Sequence, residues 1–168
     1  MKLLKVLFPV LALAVAGCGG YAWKPSVPAD MRTVAVPVFA NESGVTELGA
    51  VVTRQVLRDV QREGTFDIAV PGDAAVEIQG RVRRADAHVV AYERSTGARN
   101  REHRFTVTAE VSFIDKKNGK VLVDNRCYRA TTTFLASDDL LTGERDASGR
   151  VAEELARQIT DELLALKL

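Results

Sequence analysis

The chain has 168 residues, with 23 basic and 22 acidic side chains and a formal net charge of +1. This balance argues against a nucleic-acid-binding protein, because neutralising phosphates requires an excess of Lys and Arg. The length suits one domain with a modest hydrophobic core.

The first 17 residues have the pattern of a secretory signal peptide, with charges at Lys2 and Lys5 followed by an apolar run over 6–16. That run is shorter than the roughly 20 residues that span a bilayer. Cys18 directly follows a Val-Ala-Gly sequence, which is typical of a lipobox. We therefore expect cleavage before Cys18 and its acylation with palmitate-type chains. The alternative is an ordinary secretory signal that happens to contain a cysteine.

Two or three acyl chains hold a protein firmly on a membrane. In many bacteria an aspartate directly after the acylated cysteine retains the lipoprotein in the inner membrane, but the residues that follow Cys18 here are Gly19 and Gly20. We therefore expect anchoring in the outer membrane, with the domain facing the periplasm. Residues 18–31 are predicted to be the acylated cysteine and a tether. Within this tether, Tyr21 and Trp23 either lie among the lipid headgroups or dock on the domain. The domain itself is predicted to span 32–168.

Removal of the signal peptide also removes Lys2 and Lys5, leaving 21 basic and 22 acidic side chains. With Cys18 acylated, Cys127 is the one thiol left, and it has no internal disulfide partner. We expect Cys127 to be a small buried residue, and a reactive or intermolecular thiol is the alternative.

The first half of the domain predicts a strand and a helix. Residues 33–39 form a β-branched run, and Pro37 places this strand at a sheet edge or ends it there. Apolar residues at helical spacing predict a helix over 47–63. Thr46 is the expected N-cap and Gly64 the expected C-terminal stop.

The second half alternates with a period of two and then returns to helical spacing. The predicted elements are a strand over 65–70, a turn at 71–73, a strand from Val76 with a bulge near Arg84 and Ala85, a loop over 95–100, a strand over 105–113, a hairpin turn at 117–120, a strand over 121–134 with a break near Asn125, a polar stretch over 137–145, and a helix over 146–166.

This order predicts an α+β fold: a two-layer sandwich in which two amphipathic helices pack on one face of a mostly antiparallel sheet of four to five strands. The expected core residues are Val52, Val56, Val107, Val111, Phe113, Leu155 and Ile159. The expected polar residues of the opposite face are Arg81, Arg83, Thr106, Thr108 and Glu110.

The sequence offers little catalytic chemistry. The two histidines, His88 and His103, lack the spacing of a metal site, and no nucleophile, phosphate-loop or dinucleotide motif occurs. We expect no cofactor and no metal, and we interpret Glu77 and Glu110 as solvated residues of the polar face. A periplasmic hydrolase is a rival class, but no nucleophile–base pair supports it. A binding or assembly protein is favoured.

One cluster of charge stands out. Arginines crowd two successive predicted strands and the loop between them, and guanidinium groups bind phosphate or carboxylate oxygens in a bidentate manner. The candidate contacts for an anionic ligand or a protein partner are Arg81, Arg83, Arg94, Arg99, Arg101 and Arg104. The alternative is solubilising charge, partly offset by Asp86, Glu93 and Glu102.

Several segments together resemble the LptE family of lipopolysaccharide-assembly lipoproteins. They are the lipobox, the run over 33–41, the helix leading to Gly64-Thr65-Phe66, and the strand pair joined by Gly119-Lys120. These are mostly core and turn residues, and their joint order carries the resemblance over nearly all of the mature chain.

The resemblance implies an α+β sandwich, lipid-anchored in the outer membrane, that plugs and helps to assemble the LptD β-barrel. It also implies that basic residues contribute to lipopolysaccharide binding. No family motif assigns those basic positions, so the arginines above rest on the charge pattern. The alternative function is that of another outer-membrane lipoprotein, accessory to lipid transport or secretion and without that barrel partner.

Overall fold

The computed structural model describes residues 27–92, 101–136 and 140–166. A short 3₁₀ turn at Ala29–Met31 precedes the regular elements. These elements are β1 (Thr33–Ala35), β2 (Ala40–Asn41), α1 (Leu48–Glu63), β3 (Asp67–Ile68), β4 (Val76–Tyr92), β5 (Arg101–Asp115), β6 (Lys120–Ala136) and α2 (Leu140–Ala165).

The described strands form one sheet of six in the order β3-β1-β4-β5-β6, with β2 paired to β4. The pairs β4–β5 and β5–β6 are antiparallel, whereas β1 pairs in parallel with both β3 and β4, and β2 pairs in parallel with β4. The α+β class and the two helices are confirmed, whereas the prediction of a mostly antiparallel sheet of four to five strands is met in part: the three long strands are antiparallel, but the described sheet has six strands and its short pairings are parallel. The sheet is mixed because α1 carries the chain back before β3, and a crossover of this kind joins parallel strands.

Strand β1 is shorter than predicted and ends at Ala35, two residues before Pro37. It lies between β3 and β4, so Pro37 ends the strand rather than marking a sheet edge. Proline has no N–H to donate to a neighbouring strand, and pairing resumes only at β2. The second predicted strand is also shorter, since only Asp67–Ile68 pairs with β1.

Helix α1 begins one residue later than predicted and ends as predicted. The residue that caps its N-terminus is Glu47, with φ 61°, and not Thr46, and no side chain donates or accepts a capping hydrogen bond there. Gly64 adopts φ 73° and donates its N–H to the carbonyl of Val60 at 3.2 Å. A left-handed residue at this position favours glycine, which explains the stop.

Helix α2 begins at Leu140, six residues before the predicted start, so most of the predicted polar stretch is helical. Packing against β6 explains the difference. A Cβ at Gly143 would lie 2.4 Å from the ring of Phe134, so the glycine allows helix and strand to approach closely. Ala147, one turn further on, is fully buried. The early start of the helix depends on this tertiary contact, which local helix propensities do not reflect.

The core lies between the two helices and one face of the sheet. All seven predicted core residues are at most 1% exposed, including Phe113 on β5, Val56 on α1 and Leu155 on α2. The predicted register breaks are also confirmed: the β4–β5 register shifts between Val82 and Arg84, and Asn125 on β6 has φ 42°. The bulge keeps the apolar residues of β4 on the helix-covered side after the shift.

Candidate interaction surface

The side of the sheet away from the helices is polar where strands β4, β5 and β6 run together. Cross-strand pairing arranges its residues in three rows, and we call this surface the open face. The rows are Arg84–Thr108–Arg129, Asp86–Thr106–Thr131 and His88–Arg104–Thr133. Each residue alternates with a neighbour directed toward the helices, which is the geometry of a half-buried sheet.

Arg81 and Arg83, two of the predicted contact residues, are occupied by intramolecular ion pairs. Both contact Glu42, which follows β2: Arg81 Nη1 lies 3.7 Å from its Oε1, and Arg83 Nη1 contacts its Oε2. Arg83 Nε also lies 3.5 Å from Oε2 of Glu110. These partners neutralise the two arginines and make them weaker candidates for an external anion.

Arg104 and Arg129 differ from their neighbours. Arg84 forms an ion pair with Asp86 at 2.5 Å, and this hydrogen bond raises the pKa of the Arg84 guanidinium. Neither Arg104 nor Arg129 has an ion-pair partner among the residues that the structure describes, and both are exposed. Since Arg104 pairs with Thr133, four residues beyond Arg129 on β6, the Cα atoms of the two arginines lie roughly 14 Å apart.

Threonine hydroxyls fill the space between these two arginines. The Oγ1 atoms of Thr106 and Thr131 lie 3.1 Å apart, and Thr108 and Thr133 flank them in the neighbouring rows. Hydroxyls both donate and accept hydrogen bonds, whereas guanidinium groups form forked bonds to phosphate or carboxylate. The open face therefore suits a ligand or partner that carries separated anionic groups and hydrogen-bonding groups between them.

The other predicted contact residues lie at or beyond the end of this surface. Arg94 and Arg99 fall outside the described residues, and for Arg101 only the backbone is described, paired with Tyr92 and Ala136. Arg129 was missed by the sequence analysis, which confined the arginine cluster to two strands. The alternation of Arg129, Thr131 and Thr133 with buried neighbours in β6 is the signal that would have placed it.

Two expectations about single residues are wrong. Cys127 is exposed rather than buried, because it lies opposite Glu110 on the open side of β6. Glu77 is only 6% exposed rather than solvated. A hydrogen bond from Gln79 lowers the pKa of Glu77, against its desolvation, and Lys116 Nζ lies 3.0 Å from its Oε2. A lysine from the β5–β6 turn thus covers this carboxylate.

Helix α2 shields the outer edge of β6, an edge strand of the sheet. Gln158 Nε2 donates to the carbonyl of Arg129 at 3.2 Å, and Arg150 Nη2 donates to the carbonyl of Thr133 at 2.9 Å. Unpaired carbonyls on an edge strand invite pairing with another chain. Because side chains of the same molecule occupy these two carbonyls, β6 is poorly suited to receive an added strand.

At the opposite end from Tyr92, the β5–β6 turn meets the beginning of the described chain. Lys117 Nζ lies 2.7 Å from Oδ2 of Asp30, and this hydrogen bond lowers the pKa of the Asp30 carboxyl. Asn118 donates to Asp115 at 2.7 Å, which lowers the pKa of Asp115. A cavity of about 340 Å³, here called the tether-end cavity, opens between the 30–33 segment, the 72–75 segment and the two lysines of the turn.

The described residues contain no group of three or more His, Cys, Asp or Glu side chains placed to hold a metal ion. In the same part of the chain, no helix combines the length and the apolar character needed to cross a membrane.

Solved structures share this fold at low sequence identity. Lipoprotein B from Nitrosomonas europaea is 15% identical, with a TM-score of 0.50, over 87% of this chain and 91% of that protein. A protein from Xanthomonas campestris is 12% identical, with a TM-score of 0.53, over 84% of this chain and 85% of that protein. These likenesses place the chain in a class of small α+β domains with helices on one face of a sheet. Among curated proteins, none matches the chain significantly.

The family model for LptE, described as lipopolysaccharide-assembly, matches residues 31–163, which is well over half of the chain. The chain belongs to the LptE family. The resemblance inferred from its sequence is therefore confirmed, and the protein is a lipoprotein of lipopolysaccharide assembly, a non-enzymatic class.

Proposed function

We propose that this protein is held on the outer membrane by acyl chains on Cys18, faces the periplasm, and binds and supports an LptD-type β-barrel during lipopolysaccharide transport and assembly. Family membership supports the pathway. The choice of surface rests on one observation. On the open face, Arg104 and Arg129 have no ion-pair partner among the described residues, and they flank a group of threonines.

The lipobox in the sequence supports the anchor, and the described domain is consistent with it. Most large apolar residues of α1 and α2 are directed into the core, with exposed Leu141 as an exception, and no described helix can cross a membrane. In this proposal, acyl chains on Cys18 hold the domain on the membrane. Replacing Cys18 with Ser is expected to release the protein from membranes or leave it unprocessed. Carbonate-resistant membrane binding of the mature-length variant would contradict this.

The partner contact follows from which surfaces are already occupied. The helices cover one face of the sheet, and Gln158 and Arg150 of α2 occupy carbonyls on the β6 edge. A partner is therefore expected to bind through side chains of the open face rather than through an added strand. The residues of this face are polar, and a polar wall inside a barrel is a suitable counterpart.

The same face suits the anionic headgroup of lipopolysaccharide. Phosphates bind guanidinium groups in a bidentate manner, and sugar hydroxyls match the threonines between the arginines. Arg81 and Arg83 contribute less, because Glu42 and Glu110 already neutralise them. Within this proposal, these ion pairs favour Arg104 and the newly included Arg129 over Arg81 and Arg83 as contacts. Arg94, Arg99 and Arg101 remain predicted contacts beyond the end of the open face.

The experiment compares two double charge reversals in the full-length lipoprotein. Arg104→Glu with Arg129→Glu changes the open face, whereas Arg54→Glu with Arg58→Glu makes the same change on exposed positions of α1. We expect the first pair, but not the second, to weaken co-purification of a large β-barrel and binding of lipopolysaccharide, because attraction becomes repulsion. Equal binding by both double variants would contradict the assignment of the surface.

A third variant tests the predicted contacts beyond that surface. Arg94→Glu, Arg99→Glu and Arg101→Glu together are expected to weaken the same binding while the fold is retained, because loop-tip positions contribute little to core packing. Unchanged binding would show that these arginines are solvated surface charges and not contacts. If no barrel co-purifies with the wild-type protein from its own envelope, the alternative of an accessory lipoprotein without that partner is favoured.

A further inference from the structure

The tether-end cavity lies where the described chain begins, and it is distinct from the open face. Asp30 lines it, and Val27, three residues earlier, is partly buried and packs against the hydrophobic core. Arg32 Nε donates to the carbonyl of Val27 at 3.0 Å, and Met31 donates its N–H to the carbonyl of Pro28 at 2.9 Å. The chain that precedes Val27 therefore leaves the domain three residues before Asp30, which lines the cavity.

The reach of that preceding segment is short. Trp23 lies four residues before Val27, so their Cα atoms can be at most about 14 Å apart. Trp23 is also the one tryptophan of the chain. Trp23 lies only seven residues before Asp30, which lines the cavity, so the proposed docking requires a short segment.

The lining of the cavity matches the chemistry of an indole. Ala74 and Ala75 form a largely buried apolar floor, and the aliphatic stems of Lys116 and Lys117 supply further apolar surface. Asp73 supplies carboxylate oxygens that can accept a hydrogen bond from the indole N–H, and a lysine ammonium can lie over the ring. A cavity of about 340 Å³ exceeds the volume of one such side chain.

We propose that the tether-end cavity receives the side chain of Trp23, so that the tether folds back on its own domain. The docking depends only on the cavity and on the short reach of the chain. Its consequence rests on the proposed function: if Cys18 is acylated, docking of Trp23 leaves only four residues between the lipid anchor and the domain. The β5–β6 turn is then held near the membrane, and the Tyr92 end of the sheet is directed away from it.

Because the chain has a single tryptophan, its fluorescence tests the proposal directly. The full-length lipoprotein is reconstituted in vesicles of phosphatidylethanolamine and phosphatidylglycerol. Emission is then quenched with acrylamide in water, and in a separate sample with brominated phospholipid in the bilayer. A docked indole is expected to be protected from both quenchers. Strong quenching by brominated lipid would place Trp23 in the membrane interface, as in the aromatic belts of membrane proteins, and would overturn the proposal.

A pair of matched glycine variants separates docking from other causes of protection. Gly72 lines the cavity and Gly149 lies on α2; neither has positive φ, and an added Cβ would meet no atom within 4 Å at either. Gly72→Leu is expected to fill the cavity and to increase acrylamide quenching severalfold, whereas Gly149→Leu should leave it unchanged. Equal quenching of wild type and Gly72→Leu would overturn the proposal.

A further variant distinguishes failure of the docking from failure of the anchoring. Cys18→Ser removes the acylation site but leaves the cavity and Trp23 in place. We expect the indole of this variant, purified without vesicles, to remain protected from acrylamide. Loss of protection in this variant alone would show that the membrane, rather than the cavity, shields the indole, and would overturn the proposal while leaving the anchor intact.

Discussion

The two faces of the sheet are made from alternate residues of the same strands, yet their interactions have different ranges and strengths. On the covered face, side chains such as Phe113 and Val107 are fully buried in the hydrophobic core. On the open face, half-exposed arginines pair with acids that the chain brings from elsewhere, as Arg83 does with Glu42, 41 residues away. The comparison indicates that the covered face provides stability and leaves the open face available for binding.

The largest expected contrast comes from truncating one residue on each face of β5. Phe113→Ala should lower the free energy of unfolding by about 3–5 kcal/mol, because it leaves a cavity in the core. Thr108→Ala on the open face should lower it by less than about 1 kcal/mol. Urea denaturation of both variants measures the contrast, and similar losses would show that the faces are energetically alike.

The covered face should also affect how the free energy of unfolding depends on pH in the alkaline range. Burial raises the pKa of the Tyr128 phenol to about 12, above its ordinary value of 10.0, and the nearby Glu162 carboxylate adds to the shift. The neutral phenol is favoured in the folded state, so its contribution is fully present below pH 10 and is lost as the pH rises toward 12.

The measurement is the free energy of unfolding of wild type and Tyr128→Phe between pH 8 and 12. Wild type should lose about 2 kcal/mol more than the variant across the upper part of this range. Parallel pH profiles for the two proteins would contradict the placement of the phenol in the core.

A smaller effect is expected where α2 meets the covered side of β6. Gly143→Ala should destabilise the protein by about 1–3 kcal/mol, because the added methyl group overlaps the ring of Phe134. Gly149→Ala, in the same helix but with nothing within 4 Å, should stabilise it by about 0.5–1 kcal/mol. Thermal unfolding of the two variants checks the opposite signs. A gain in stability in both variants would show that the Phe134 ring moves aside at little energetic cost.

The smallest expected effect concerns the ion pairs beside the open face. Glu42→Gln removes a partner of both Arg81 and Arg83, but all three side chains are more than 40% exposed. The loss should be about 0.2–1 kcal/mol and should vanish at high salt. A large loss that is insensitive to salt would show that this face contributes more to folding than exposed pairs normally do.

The range of these interactions also explains what could be predicted from the sequence. The core was predictable because Val52, Val56 and Leu155 recur at helical spacing and Val107 and Val111 at strand spacing, which are local patterns. The early start of α2 was not, because it depends on Gly143 meeting Phe134 across the fold. The inclusion of Arg129 in the surface likewise required the pairing of β5 with β6.

Exposure of single residues was hardest to predict where a partner comes from another element. Glu77 follows the polar alternation of β4, but Lys116 from a later turn covers it. The charges of Arg81 and Arg83 appeared available in the sequence, and only the path of the chain after β2 places Glu42 beside them.

The most direct test of the central claim is photo-crosslinking in the native envelope. A photoreactive amino acid replaces Thr131 on the open face in one variant and Arg58 on the exposed side of α1 in the other, and both positions are exposed. We expect crosslinks from position 131 to a large outer-membrane β-barrel, and none from position 58. Crosslinks to the barrel from position 58 alone would contradict the claim that the open face is the binding surface.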